Sequence, residues 1–257
     1  MNWTDTPAGT INAASQRFFV ALGEDASEVA TRINSEPAFL TQLALFAKNS
    51  GFEPSTSQKK AREIMGTNMF GIEDAIKHFG VNPSKAQLAA LGEVPFSEET
   101  LEACKATHVL VAVFPMSILD VRAKVKGELW QAFYNQDWYN KEAFAKDRGE
   151  IGWHLIRKTP VENSTNKTWN DQQALLGKDD ETPKAQVMVY TIIGHYKATN
   201  ERLFEKVWVR CSDLDSFGHR VYVGFFDAEG LCVNSTSGTS SAAAASGWRP
   251  PGSNLEL

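Results

Sequence analysis

Apolar residues recur every three or four positions through the first hundred residues, and each run closes on a helix stop signal. Ala13 to Leu22 stops at Gly23. Pro37 to Lys48 starts on a proline, carries Leu40, Leu43, Ala44 and Ala47 on one face, and ends before Gly51. Ile72, Ala75, Ile76 and Phe79 form a stripe closed by Gly80. Pro83 to Leu91 ends at Gly92, and Ser97 caps a further helix with Glu98 and Glu99 in its first turn. Residues 1–104 are thus predicted to be helical, packing on one another or on the C-terminal part of the chain; a dedicated oligomerisation module is the alternative.

The period changes near Thr107. His108 to Phe114 is a β-branched run of strand length, and Gly152 to Arg157 is a second. Thr168 caps a helix over Trp169 to Leu176, and Pro183 opens a longer one with Val187, Tyr190, Thr191 and Gly194 on one side. Alternation then takes over in Leu203 to Arg210 and Arg220 to Phe226. Leu231 to Asn234 comes after the turn Asp227-Ala-Glu-Gly230. A hairpin is predicted there, with Val221, Val223, Leu231 and Val233 inward and Tyr222, Gly224, Cys232 and Asn234 on the opposite face. The fold class expected for residues 105–257 is α+β, with short antiparallel strands and two helices.

Composition narrows the partners. The chain of 257 residues is 42% hydrophobic and 22% charged, ordinary for a globular protein. A formal charge of -5 and the lack of a basic stripe argue against nucleic acid. The longest apolar runs, such as Val109 to Met116, fall far short of the roughly 20 residues that span a membrane. No secretory signal is visible in Met1 to Ile11, so a reducing compartment, or export by a non-standard route, is expected. Cys104, Cys211 and Cys232 have the spacing of neither a disulfide frame nor a zinc knuckle. His78, His108, His154, His195 and His219 fall in no ligand spacing. Trp169-Asn170-Asp171 matches a calcium-lectin motif, but here it opens a helix behind its Thr168 cap. No metal and no cofactor are expected.

One stretch has a restricted alphabet. Cys211 to Gly247 contains no Lys, Gln, Met or Trp and one Glu, Glu229, although these types make up about a fifth of the chain. Low complexity accounts for Asn234 to Gly247 but less well for the patterned hairpin before it. Mutating adenines in asparagine codons reaches every amino acid except Lys, Glu, Gln, Met and Trp. Val187-Met-Val-Tyr-Thr-Ile-Ile-Gly-His195, Glu201-Arg-Leu-Phe-Glu205, Val209-Arg-Cys-Ser-Asp213 and Val223 to Leu231 resemble segments of variable proteins of diversity-generating retroelements. Gly152 to Lys158 and Pro160 to Ser164 resemble the same group, so the similarity runs from about Gly66 to Leu231. The resemblance implies a C-type lectin-like domain over 105–257, a diversified segment at 211–247, and a protein or glycan ligand. Phe217, His219, Tyr222, Gly224, Phe225, Cys232, Asn234, Ser235, Thr236, Ser237 and Thr239 are the expected ligand-binding positions. Exposed aromatics among small polar residues also make up antibody paratopes.

Two other readings compete. One is an enzyme: on the related formylglycine-generating scaffold it would need a cysteine pair or metal site, which Cys104, Cys211 and Cys232 do not assemble. A Cys211 nucleophile with His154 or His195 is a separate catalytic option. No catalytic residue is expected, because no nucleophile elbow or phosphate loop supports it. The other is a plain structural or surface protein with a low-complexity tail. The cluster Trp130, Phe133, Tyr134, Trp138, Tyr139 and Phe144 is expected to be core, with a sugar platform as the sharper alternative.

Overall fold

The computed structural model describes residues 6–48, 51–125, 133–236 and 243–248. Its contacts divide the chain into two compact units, Met1–Glu53 and Pro54–Leu257. The first holds α1 (Ala8–Leu22), α2 (Ala26–Ser35) and α3 (Pro37–Lys48). Gly23 ends α1 at a positive φ of 59°, and α3 has the limits that Pro37 and the apolar spacing predict. Among the described residues α1 and α2 bury no side chain, and Phe18, Leu40 and Phe46 are exposed.

The second unit is α+β. In chain order it contains α4 (Thr56–Met65), β1 (Met69–Phe70), α5 (Ile72–Phe79), α6 (Lys85–Ala90), α7 (Glu98–Cys104), β2 (His108–Val113) and α8 (Ile118–Val125). Then come α9 (Ala143–Lys146), β3 (Gly152–Arg157), α10 (Trp169–Gln173), β4 (Asp180–Glu181) and α11 (Ala185–Thr199). The C-terminal strands are β5 (Trp208–Leu214), β6 (Arg220–Asp227), β7 (Gly230–Thr236), β8 (Ala243–Ala244) and β9 (Gly247–Trp248). One sheet has the order β1-β2-β3-β9-β4 and the other β7-β6-β5-β8. α11 packs against β1 and β2 of one sheet and β5 and β6 of the other, so the core surrounds it. Every residue from Ala185 to His195 is buried. Gly194 is small for a reason: a Cβ there would lie 3.0 Å from the Phe70 ring.

The contacts divide the chain at Glu53/Pro54, ahead of the boundary near residue 104 that the sequence suggests. Helices α4 to α7 belong to the second unit, because β1 pairs with β2, and the Leu91 carbonyl accepts from both Gln58 and Trp153. The strand expected over Leu203 to Arg210 begins only at Trp208 and runs to Leu214. Before it the chain turns, burying Leu203 and Phe204. The Ala/Ser tract is not a loose tail where it is described. Ala243, Ala244, Ala245 and Ser246 are buried, β8 pairs with β5, and β9 crosses to lie between β3 and β4. Small residues are required on that path, since a Cβ on Gly247 would sit 2.7 Å from Ile156 Cδ1.

Candidate functional site

The three long C-terminal strands form the predicted antiparallel hairpin extended by β5. Tyr222 faces Asn234 and Arg210, Val223 faces Val233 and Val209, and Gly224 faces Cys232 and Trp208. Strand alternation then sorts the side chains. Val209, Cys211, Val221, Val223, Leu231 and Val233 are buried against the core, as the pattern predicts for its four hairpin residues. The other face gathers Trp208, Arg210, Tyr222, Cys232 and Asn234.

That outer face is less open than the sequence suggests. Tyr222, Cys232, Asn234, Ser235 and Thr236 are half-buried. The Tyr222 ring packs edge-on against Trp208 at 4.9 Å, and its hydroxyl donates to the Ser235 carbonyl at 3.4 Å. Gly224 is not a displayed position. It is buried at a φ of 150°, and a Cβ there would collide with the Val207 carbonyl oxygen. The same place breaks the alternation. The β6–β7 register shifts between Gly224 and Asp227, Phe225 takes a φ of 47°, and its N–H donates to the Val207 carbonyl. This bulge turns Phe225 outward, 5.0 Å from Trp208 and 38% exposed, and sends Phe226 into the core.

The β5–β6 turn presents a second aromatic. Asp215 accepts from the backbone N–H groups of Phe217 and His219 and from the Ser235 hydroxyl. Burial pushes its carboxyl up, but these bonds outweigh it and hold it below the usual range. Glu142 binds both the N–H and hydroxyl of Ser216. Above this braced turn Phe217 is 82% exposed and stacks on the half-buried His219. Ser237 and Thr239 lie outside the described residues.

The scaffold grips this segment largely through its backbone. β7 is an edge strand, and residues 133–138 run along it. Tyr134 N–H donates to the Leu231 carbonyl at 3.0 Å. The Gln136 side-chain oxygen accepts from Val233 N–H at 3.1 Å, and the Trp138 indole donates to the Val233 carbonyl at 3.0 Å. Arg122 holds that loop through the Gln136 carbonyl and Tyr139 hydroxyl. Elsewhere Ser212 N–H donates to the Pro183 carbonyl and Ala244 N–H to the Ser164 hydroxyl; Arg157 N–H donates to the Ser246 carbonyl. The aromatic cluster is split: Tyr139 and Phe144 are buried, Phe133 is half-buried, Tyr134 and Trp138 are exposed, and Trp130 lies outside the described residues.

Cys211 is fully buried, with its thiol near the Val209 carbonyl; burial and then Asp213 push its pKa well up. His195 is bound to Glu201 at 2.9 Å. Cys232 is pushed up to about 11, by burial first and then by Asp227 and Glu229. Among the described residues no group of three or more His, Cys, Asp or Glu is placed to hold a metal, and no helix is long and apolar enough to cross a membrane.

Sequence reasoning missed Trp208, whose strand parity with Tyr222 was readable once β5 was placed. It also missed Arg220 and Trp169, which meet from strand and helix with no local signal. Comparison of the chain with protein-family models, with curated proteins and with solved structures finds no match.

Proposed function

We propose that this protein binds a ligand through the outer face and turn of its C-terminal sheet, on positions built to vary while the fold is kept. One observation carries the reading: the hydrogen bonds that reach residues 211–247 from outside the segment fall mainly on its backbone atoms. Tyr134, Gln136 and Trp138 address Leu231 and Val233, Pro183 addresses Ser212, and Ser164 addresses Ala244. A backbone bond survives almost any side-chain change, whereas a side-chain bond does not. The restricted alphabet of the same segment supports the reading, as does its likeness to retroelement variable proteins, in which a C-type lectin-like scaffold carries the diversified surface. The displayed set is Phe217, His219, Tyr222, Phe225, Cys232, Asn234, Ser235 and Thr236, with Ser237 and Thr239 beyond the described residues. Gly224 is withdrawn from that set, because its backbone has no room for a side chain.

The test is a library in which the codons for Phe217, Tyr222, Phe225, Cys232 and Asn234 are randomised together. Most members should fold, by cooperative thermal melts, and selection against arbitrary proteins should return binders. General collapse of the library would exclude the reading. The encoding DNA offers an independent check: a neighbouring reverse transcriptase, and a second copy of the segment differing at template adenines.

A further inference from the structure

We propose that Arg220, braced against Trp169, is a docking point for an acidic side chain of a protein partner. This rests on the recognition reading above and names a chemistry for part of that surface.

Arg220 stands on β6, paired with Thr236 on one side and Leu214 on the other. Its guanidinium lies 3.8 Å over the Trp169 ring, and it donates one N–H to the Ser212 carbonyl. A guanidinium has five N–H donors in a planar fork suited to a carboxylate. Among the described residues Ser212 is its one hydrogen-bond partner, and no carboxylate lies within ion-pair distance of it. Asp213, whose charge reaches Arg220, instead accepts the Ala185 N–H at the start of α11. The buried Arg210 adds a like charge next to it. The segment beyond Thr236, Ser237 to Ala242, contains no Asp or Glu.

A half-buried cation with no described carboxylate in direct contact is costly, the more distant Asp213 offsetting only part of that cost, and an incoming carboxylate would relieve it. The stack on Trp169 already holds the fork in one plane, so little side-chain freedom is lost on binding. The neighbouring Trp208 and Tyr222 rings pack edge-on against each other, which gives a knobbed relief and not a flat platform for a sugar. Trp, Tyr and Arg together are the usual composition of protein-binding hot spots.

The experiment is an NMR titration of the full chain with N-acetyl-aspartate N′-methylamide, following the Trp169 indole N–H and the Arg220 Nε–H. The blocked asparagine and 3′-sialyllactose serve as comparisons. Saturable, millimolar shifts confined to these two groups are expected with the aspartate compound alone. Arg220→Gln should weaken them by about tenfold or more, and Arg148→Gln should leave them unchanged. Absence of shifts in the wild-type protein overturns the proposal, as does an equal response to the asparagine compound. Tighter binding of sialyllactose overturns the protein assignment. Should Arg220→Gln fail to fold, the wild-type shifts alone decide. A negative result leaves the library test of display untouched, since that depends on folding and selection and not on Arg220.

Discussion

At the scale of single residues, the outer and inner faces of the hairpin should answer differently to truncation. Leu231 and Val223 are fully buried, and replacing either by Ala should cost about 2–4 kcal/mol through the cavity left behind. Asn234→Ala should stay within about 0.5 kcal/mol, since among the described residues its side chain only accepts the N–H of the adjacent Ser235. Tyr222→Ala should fall between, near 1 kcal/mol, because the ring is half-buried against Trp208. Gly224→Ala should cost at least about 1–3 kcal/mol, from the strained φ and the Val207 carbonyl. Urea melts of these variants separate the cases; equal large losses on both faces would make the surface core and remove it as a display site.

At the scale of elements, the edge strand β7 is the part whose behaviour depends most on its neighbours. Gln136 and Trp138 stand where the next strand would be, bonded to Val233 on both its N–H and its carbonyl. Gln136→Ala should therefore raise hydrogen exchange at the Val233 amide selectively, with Val223 on the central strand β6 little changed. Exchange that rises equally along β6 and β7 would mean that the loop stabilises the whole sheet and not its edge. The helix ends show the opposite dependence. Ser55, Ser84, Ser97 and Thr168 each accept an N–H of their own first turn, so these starts are set locally.

At the scale of the whole molecule, the compact division at Glu53 predicts that residues 54–257 unfold cooperatively when the first unit is removed, with a melting temperature close to that of the full chain. A second expectation concerns acid. His195 is buried in α11, and burial holds its pKa below the ordinary 6.5 although Glu201 pulls the other way. Below pH 6.5 the unfolded chain takes up a proton that the folded chain refuses, so stability declines as pH falls from there. Glu201 acts in the same direction lower down. Burial raises it, but Lys158 and His195 outweigh that and hold it under its ordinary 4.5. Melts between pH 7.5 and 4 should show this decline, flattened near pH 6 in His195→Gln.

Features that depend on neighbours along the chain were legible in the sequence. Gly23 and Gly80 stop helices, Thr168 and Ser97 start them, and the alternation in 220–234 separates Val221 and Val223 from Tyr222. These are short-range rules of backbone geometry, so the hairpin and its buried face could be read directly. The rest required the folded chain, because it depends on residues far apart in number. Val207 makes Gly224 a buried bulge and turns Phe225 outward against the strand pattern. Leu91 draws α4 to α7 into the same unit as the sheets, through bonds to Gln58 and Trp153. The Ala/Ser tract reads as a tail in sequence, and where it is described Ala243–Ala244 and the following Gly247–Trp248 become strand because β5, β3 and β4 offer them partners. Trp169 and Arg220 are 51 residues apart by number and share no local pattern; helix α10 laid beside the sheet is what brings them together.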